Sequence, residues 1–384
     1  MVVGFGSRSG LVAAGPFSNG LAFLAVRRLH SLDRARGLAI FAIVLGHVWL
    51  SSEVVPLHPF VYAFHVPLFF YLSGLFFRVG GPVQWARLAR RVRTIAIPYA
   101  VWAVISAAVF VLLGELAAQT LQRRQPARDP LVFVRGILFA NPSNGGMDWN
   151  TPLWFLPAIV VAYVLAAVVL HLLRPLGRGA LPVALIASSA LSPWVATQDW
   201  TLPMSIERTL VLLPFFLLGM LSRSVVVRIE DVRGVVAKGV AVVIAGACFW
   251  GVWVIGHGNG VVEYVVKAYG DSFAVFVVGA LLGVVGTLAA AVVLPFEFLA
   301  MAGRDSLAVL VMHKFFVVAV QILAIRLMLG ERWGTTPVVI LGAAFATAAS
   351  LALRPLVQRV WPPLLGRTAR PGARPAVDIR PPVS

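Results

Sequence analysis

Residues 34–47 read RARGLAIFAIVLGH, and Asp33 precedes them. Two arginines lead into ten small or apolar residues that end on His47. A charge at the bilayer centre costs at least about 2.5–3.5 kcal/mol, so a membrane helix rarely keeps ionisable groups it does not use. On a helix, eleven residues at about 100° each bring His47 to within about 20° of Arg36, roughly 16 Å further along the axis. Asp33 falls about 40° from that stripe. The helix therefore carries charge at one mouth and an imidazole deeper in, on one face. Imidazole titrates near neutrality, so it can take and return a proton. The alternative is a histidine satisfied by helix–helix hydrogen bonding.

The rest of the chain decides the solvent around that helix. Of 384 residues, 60% are hydrophobic and 12% charged, about half the charge of an average soluble domain. Ten apolar runs, near 37–55, 60–78, 94–114, 153–173, 180–196, 207–223, 235–256, 272–293, 306–329 and 336–354, are long enough to cross a hydrocarbon core about 30 Å thick. They predict an all-α, polytopic integral membrane protein of about ten transmembrane helices. With the N-terminus in the cytoplasm, 23 of the 32 Lys and Arg fall on the cytoplasmic side, as the positive-inside bias requires. Both termini are then cytoplasmic.

The net charge of +17 does not point to nucleic acid. The basic residues flank apolar runs, as juxtamembrane charges facing lipid head groups do, and no zinc-finger, RNA-binding or helix-turn-helix pattern occurs. No nucleic-acid partner is expected; membrane lipids are. The single cysteine, Cys248, sits in an apolar run, which excludes an intramolecular disulfide. His, Asp and Glu are too scattered for a metal site. Residues 1–30 read as a flexible cytoplasmic N-terminal tail, because Arg27 and Arg28 follow their apolar part where a signal peptide has its charge first. Residues 31–355 form the membrane domain. Residues 356–384, rich in Pro and Arg, are expected to be a disordered cytoplasmic tail. Residues 115–152 read as a long, turn-rich outer loop facing substrate.

Two further stretches carry chemistry. FHVPLFFYLSGLFF, residues 64–77, places His65 near the outer start of the second span, within reach of His47. Ser73 and Gly74 fit close helix packing, with Ser73 bonded to its own backbone. WARLARRVRTIAIPY, residues 85–99, crowds four arginines before the third span. They serve as a positive-inside anchor or as a bidentate phosphate clamp. Trp154 fits substrate stacking or interfacial anchoring equally, and Asn150 and Glu207 are further polar candidates.

Taken in order, these pieces resemble the acyltransferase 3 family of membrane O-acyltransferases. The resemblance rests on LDRARGLAIFAIVLGH with Arg36 and His47, FHVPLFFYLSG, RRVRTIAIPY with Arg90 and Arg93, TPLWFLPAIVVAYVL from Trp154, LPFFLLGM, and GRDSLAVLVMH ending at His313. It covers roughly residues 30–355. The family implies about ten spans and transfer of an acyl group, often acetyl, from a cytoplasmic acyl-CoA to a hydroxyl of an envelope glycan, glycolipid or mycolate-type lipid. Some members append a soluble SGNH domain, which is not expected here. The abundance of Ala, Val, Arg and Gly suggests a GC-rich bacterial genome, hence the bacterial cytoplasmic membrane.

On that reading His47 and Arg36 are the catalytic candidates, and Arg90 and Arg93 bind the nucleotide end of the donor. Asp33, His65, Ser73, Trp154 and His313 are candidates for positioning substrate. No metal or resident cofactor is needed; acetyl-CoA or another acyl-CoA is a co-substrate. Direct transfer with His47 as base and a two-step route through an acyl-histidine both fit the spacing. The competing class is a transporter or flippase for an envelope lipid or polar solute, with buried His and Arg as relay groups; the absence of internal repeats argues against it. A non-catalytic scaffold is the third alternative.

Overall fold

Where no water reaches, every backbone N–H and C=O needs a partner within the chain, and a helix provides one locally. The structure, a computed structural model, describes residues 30–48, 56–77, 85–121, 129–141, 147–229 and 234–367. Among them α1 is His30–His47, α2 Leu57–Tyr62, α3 His65–Leu75, α4 Trp85–Leu121, α5 Pro130–Phe139, α6 Phe155–Leu172, α7 Ala180–Ala196 and α8 Ile206–Ile229. After α9 (Val235–Gly258) comes a two-stranded antiparallel hairpin, β1 Val262–Glu263 and β2 Ala268–Tyr269, with Val262 opposite Tyr269. The chain continues through α10 (Phe273–Val293), α11 (Glu297–Arg304), α12 (Ser306–Arg326), α13 (Leu329–Trp333) and α14 (Thr335–Val360).

Among the described residues, eight helices are long and apolar enough to cross a membrane: α4, α6, α7, α8, α9, α10, α12 and α14. They are the third to tenth expected spans. The first two differ. α1 ends at His47, and residues 49–55 of the expected first span lie outside the described residues. The expected second span is broken between α2 and α3, where Phe64 leaves helical geometry at φ −142°. Pro67 explains the break: it has no N–H to give the Ala63 carbonyl four residues earlier, and its ring would press on that carbonyl. The His65 side chain caps the gap, donating from Nδ1 to the Val61 carbonyl at 2.8 Å.

These two short elements lie inside the protein. α1 packs against α2, α3, α10, α11, α12 and α14, and α3 against α8 and α10. Of the eleven residues of α3, all but Ser73 are buried. Neighbouring helices, not lipid, surround them, which is why they can be short and polar. Close approach depends on glycine. A Cβ at Gly37 would overlap the Leu299 carbonyl on α11, and one at Gly303 would overlap the Asp33 carbonyl on α1. Gly74 meets the Phe216 carbonyl of α8, and Gly219 meets the Tyr71 carbonyl of α3. The packing expected at Gly74 is thus present.

Two boundaries move. The stretch expected as loop 115–152 contains the end of α4 and the whole of α5. Asp129 caps α5, accepting from the Leu131 amide at 2.9 Å, and Pro130 fills its first turn. Apolar residues thus make a helix inside a stretch whose flanks read as turns. At the other end, order extends past the expected boundary at 355: α14 runs to Val360, and a 3-10 turn covers Pro362–Leu365. Arg354 and Arg367 both donate to Asp305, the latter at 2.9 Å, and Trp102 donates to the Leu364 carbonyl at 3.0 Å. Residues 1–29 and 368–384, the bulk of the expected tails, lie outside the described residues.

The glycine contacts predict that Gly74→Val lowers the thermal midpoint of the detergent-solubilised protein by the equivalent of about 1–3 kcal/mol or more, since two backbones must part. Gly246→Ala, with nothing within 4 Å of the added methyl, should leave the midpoint unchanged or raised, as Ala exceeds Gly in helix propensity by about 1 kcal/mol.

Candidate active site

His47 is the last residue of α1, and its carbonyl accepts from Gln321 Nε2 of α12 at 3.3 Å. Its half-buried imidazole faces a cavity of about 30 Å³, the space of about one water molecule or hydroxyl. His65, Tyr62, Trp154, Glu263 and Tyr264 line the same cavity. Among the described residues, no side chain hydrogen-bonds the His47 ring. Because His65 Nδ1 donates to Val61, the neutral ring carries its lone pair on Nε2. The His65 ring lies edge-on to Tyr62 and Tyr264, with centroids 4.7 and 5.5 Å away. The Tyr264 hydroxyl donates to the Tyr62 carbonyl at 2.9 Å, and the Tyr62 hydroxyl to the Gly46 carbonyl at 3.3 Å. The hairpin, α2 and α1 are thereby tied together around the cavity.

A buried ion pair fixes the hairpin wall. Glu207 and Arg208, at the start of α8, are only 3% and 1% exposed at their side chains and bond each other. Arg208 also donates from Nε to the Tyr264 carbonyl at 2.9 Å, and from Nη2 to the Val265 carbonyl at 2.7 Å and Asn141 Oδ1 at 3.1 Å. Glu207 accepts from the Leu202 amide at 3.1 Å. The Arg208 guanidinium stands 5.9 Å from the centre of the Trp154 ring. A charge this deep is tolerated because nearly every donor finds an acceptor. Glu263 accepts from the Val265 amide at 3.1 Å, yet burial holds its carboxyl above the usual carboxylate range.

Arginines gather at the opposite end of α1. The Arg36 guanidinium lies 3.7 Å from the centre of the Phe76 ring. Arg91 donates to the Phe76 carbonyl at 3.0 Å and stands over Tyr163 at 4.6 Å, and Arg223 donates to the Leu75 carbonyl. Three helices thus bring a cation to the carbonyl end of α3, where unpaired carbonyls and the helix dipole favour positive charge.

The structure brings His47, His65 and Trp154 to one cavity, and places the His313 ring of α12 5.7 Å from that of His47. Arg36 and Asp33 lie together at the far end of α1. Ser73 is half-buried on α3, outside the cavity lining. Arg90 and Arg93 lie on exposed faces of α4; Arg91, between them, is the one directed inward. Asn150 is fully buried and donates to Ser106 Oγ at 3.0 Å. Sequence reasoning did not single out Tyr62, Glu263, Tyr264 or Arg208. The one available signal was GNGVVEYVV, residues 258–266, where a lone carboxylate and a tyrosine interrupt apolar residues between two spans. Among the described residues no group of three or more His, Cys, Asp or Glu is placed to hold a metal ion.

The fold and site define a multi-pass, all-helical membrane protein whose central helix runs from an arginine cluster to a histidine-lined cavity. A profile of the acyltransferase domain matches residues 29–354, and the chain belongs to this acyltransferase 3 family: it is a membrane acyltransferase. Neither the curated proteins nor the solved structures compared with it give a match.

Two outcomes follow for the hairpin wall. Arg208→Met, by leaving Glu207 buried without its partner, should cost about 3–5 kcal/mol, read as a lowered thermal midpoint; the double variant Glu207→Gln with Arg208→Met should recover part of the loss. Glu263 acts in the opposite sense. Its folded carboxyl titrates above its unfolded one, so the folded state holds the extra proton, and Glu263 costs stability as pH rises from the unfolded value through the folded one. Glu263→Gln should therefore raise the thermal midpoint at pH ~7.5 and give no gain near pH ~4.

Proposed function

We propose that the protein moves an acyl group, acetyl in the first instance, from cytoplasmic acyl-CoA to a hydroxyl of an envelope glycan, glycolipid or mycolate-type lipid in a bacterial cytoplasmic membrane. The observation that carries this reading is the polarity of α1: a guanidinium cluster at one end, and an imidazole facing a hydroxyl-sized cavity roughly 16 Å away. That separation suits a long donor, with Arg36 near its phosphates and its thioester near His47. Arg91 and Arg223 add positive charge at the same mouth. The exposed Arg90 and Arg93 serve the nucleotide end at the surface.

In this reading the acceptor hydroxyl enters the cavity beside His47. A free ring nitrogen of His47 takes the hydroxyl proton as the oxygen attacks the thioester carbonyl. The tetrahedral intermediate collapses, the carbon–sulfur bond breaks, and the departing thiolate takes the proton back from His47. The products are the new ester and free CoA, with His47 neutral again. General base assistance of this kind contributes about 10²–10⁴-fold. Trp154, Tyr62 and Tyr264 offer aromatic faces to the acceptor, and His65 presents Nε2 to the same space. Asp33 lies beside Arg36 and orients it, and Ser73 borders the donor path.

The test compares envelope glycans and lipids by mass spectrometry in cells lacking the gene, cells with it restored, and cells carrying His47→Ala. One species should lose a single acyl group on deletion and regain it only with intact His47. The variant, present in the membrane at normal amount, should support less than about a hundredth of the normal transfer rate. Full restoration by His47→Ala would remove His47 from the chemistry.

A further inference from the structure

His313 lies beside the His47 ring, outside the lining of the cavity, and the mechanism above gives it no part. It is 0% exposed. Its Nδ1 lies 2.9 Å from both the Val309 and the Leu310 carbonyls of its own helix. Carbonyls only accept, so Nδ1 carries the proton, and the neutral ring has its lone pair on Nε2. Nε2 is buried and has no hydrogen-bond partner among the described residues. A buried acceptor left unpaired costs about 1–3 kcal/mol, so a small shift that brings a neighbouring donor onto it is favoured. The His47 ring is the neighbour in position, at 5.7 Å between centroids and 36° between planes.

We infer that His313 is a positioning residue for His47: its Nε2 accepts a hydrogen bond from one ring nitrogen of His47 and so leaves the other as a lone pair facing the cavity. The inference rests on the reading of His47 as the base. The resulting chain runs from the Val309 and Leu310 carbonyls through Nδ1–H and Nε2 of His313 to His47. Each bond polarises the next. A ligating or reacting histidine commonly has its second nitrogen fixed in this way, which sets its tautomer. As His47 accepts the acceptor's proton, the bond to Nε2 strengthens, because its donor becomes an imidazolium N–H. The other titratable groups acting on His47 are Lys314 on α12, His65 on α3 and His58 on α2: a lysine ammonium has no lone pair to offer, His65 belongs to the cavity lining itself, and the His58 ring is stacked on Tyr62 with centroids 3.8 Å apart.

Amide side chains separate the two faces of the His313 ring. Asn reaches about as far as Nδ1 and keeps the helix contact; Gln reaches about as far as Nε2 and keeps an acceptor there. Transfer from radiolabelled acetyl-CoA into the lipid and glycan fraction is measured in membranes carrying the full chain as wild type, His47→Ala, His313→Asn or His313→Gln. His313→Asn should lower kcat about 10²-fold with KM for acetyl-CoA unchanged, while His313→Gln stays within about tenfold of wild type. Wild-type kcat in His313→Asn, or equal losses in both variants, overturns the positioning role while leaving His47 as base. Full activity in His47→Ala overturns the base itself. A second readout needs no variant of His313 to fold. Nitrogen spectra of the histidine-labelled wild-type chain, with His47 assigned by its loss in His47→Ala, should show one tautomer; an even mixture overturns the inference.

Discussion

The backbone contact between α1 and α11 sets the position of everything else in the site. Helices in lipid gain little from burying apolar surface against each other, since the surroundings are equally apolar; they associate where small residues let backbones touch. Gly37 and Gly303 provide two such points, one on each helix and each against the other's carbonyl. Two contacts fix both the rotation and the height of α1. Rotation puts Arg36 and His47 on their common stripe toward the protein interior, and height places them at Phe76 and at the cavity. The paired glycines of α3 and α8 do the same for the helix that carries His65. α10 packs on both, α11, α12 and α14 on α1, and α8 on α3, so much of the surface of each is covered by protein.

Charge is then distributed between the two ends of that central pair, and each end neutralises it differently. At the α3 terminus, Arg91 and Arg223 are met by backbone carbonyls, and Arg91 also by aromatic faces. At the α8 start, Arg208 is closed in by Glu207, Asn141 and two hairpin carbonyls, which leaves nothing over for a ligand. The second arrangement is a clamp that holds the hairpin carrying Glu263 in place.

Much of this was legible in the sequence because hydrocarbon imposes simple rules. Length and hydropathy alone located the eight long helices, and the spacing from Arg36 to His47 gave their shared stripe. What failed to show has specific causes. Pro67 lies within a continuous apolar run, so hydropathy joins α2 to α3, although the proline separates them. α5 is ten residues of apolar helix, too short for a span and flanked by turn residues. Arg87, Arg90, Arg91 and Arg93 are spread over an arc of about 160° on α4, so the sequence could not say that Arg91 is the inward one. Glu263 and Tyr264 reach the cavity only because a hairpin folds back between α9 and α10, and its strands of two residues carry no periodic signal. The extension of α14 beyond residue 355 depends on Asp305, 49 and 62 residues earlier in the chain, drawing in Arg354 and Arg367.

The size of the cavity shapes how selectivity must work. About 30 Å³ accepts a hydroxyl, and water fits as well as any alcohol. A site that relied on this space alone would hydrolyse its donor. On the proposed reading, discrimination has to come from the remainder of the acceptor, whose contacts outside the cavity would supply binding energy that water lacks. The walls are unequal in this respect. The hairpin is fastened by Arg208, and Gly46, Tyr62 and Tyr264 are joined by hydrogen bonds, so these sides hold their geometry. The Pro152–Phe155 side belongs to a segment in which Asn150 already departs from helical geometry, at φ −150° and ψ 68°, with its Oδ1 buried and unpaired. The cavity thus has a hydrogen-bonded side that carries His47 and a less regular side at Pro152–Phe155.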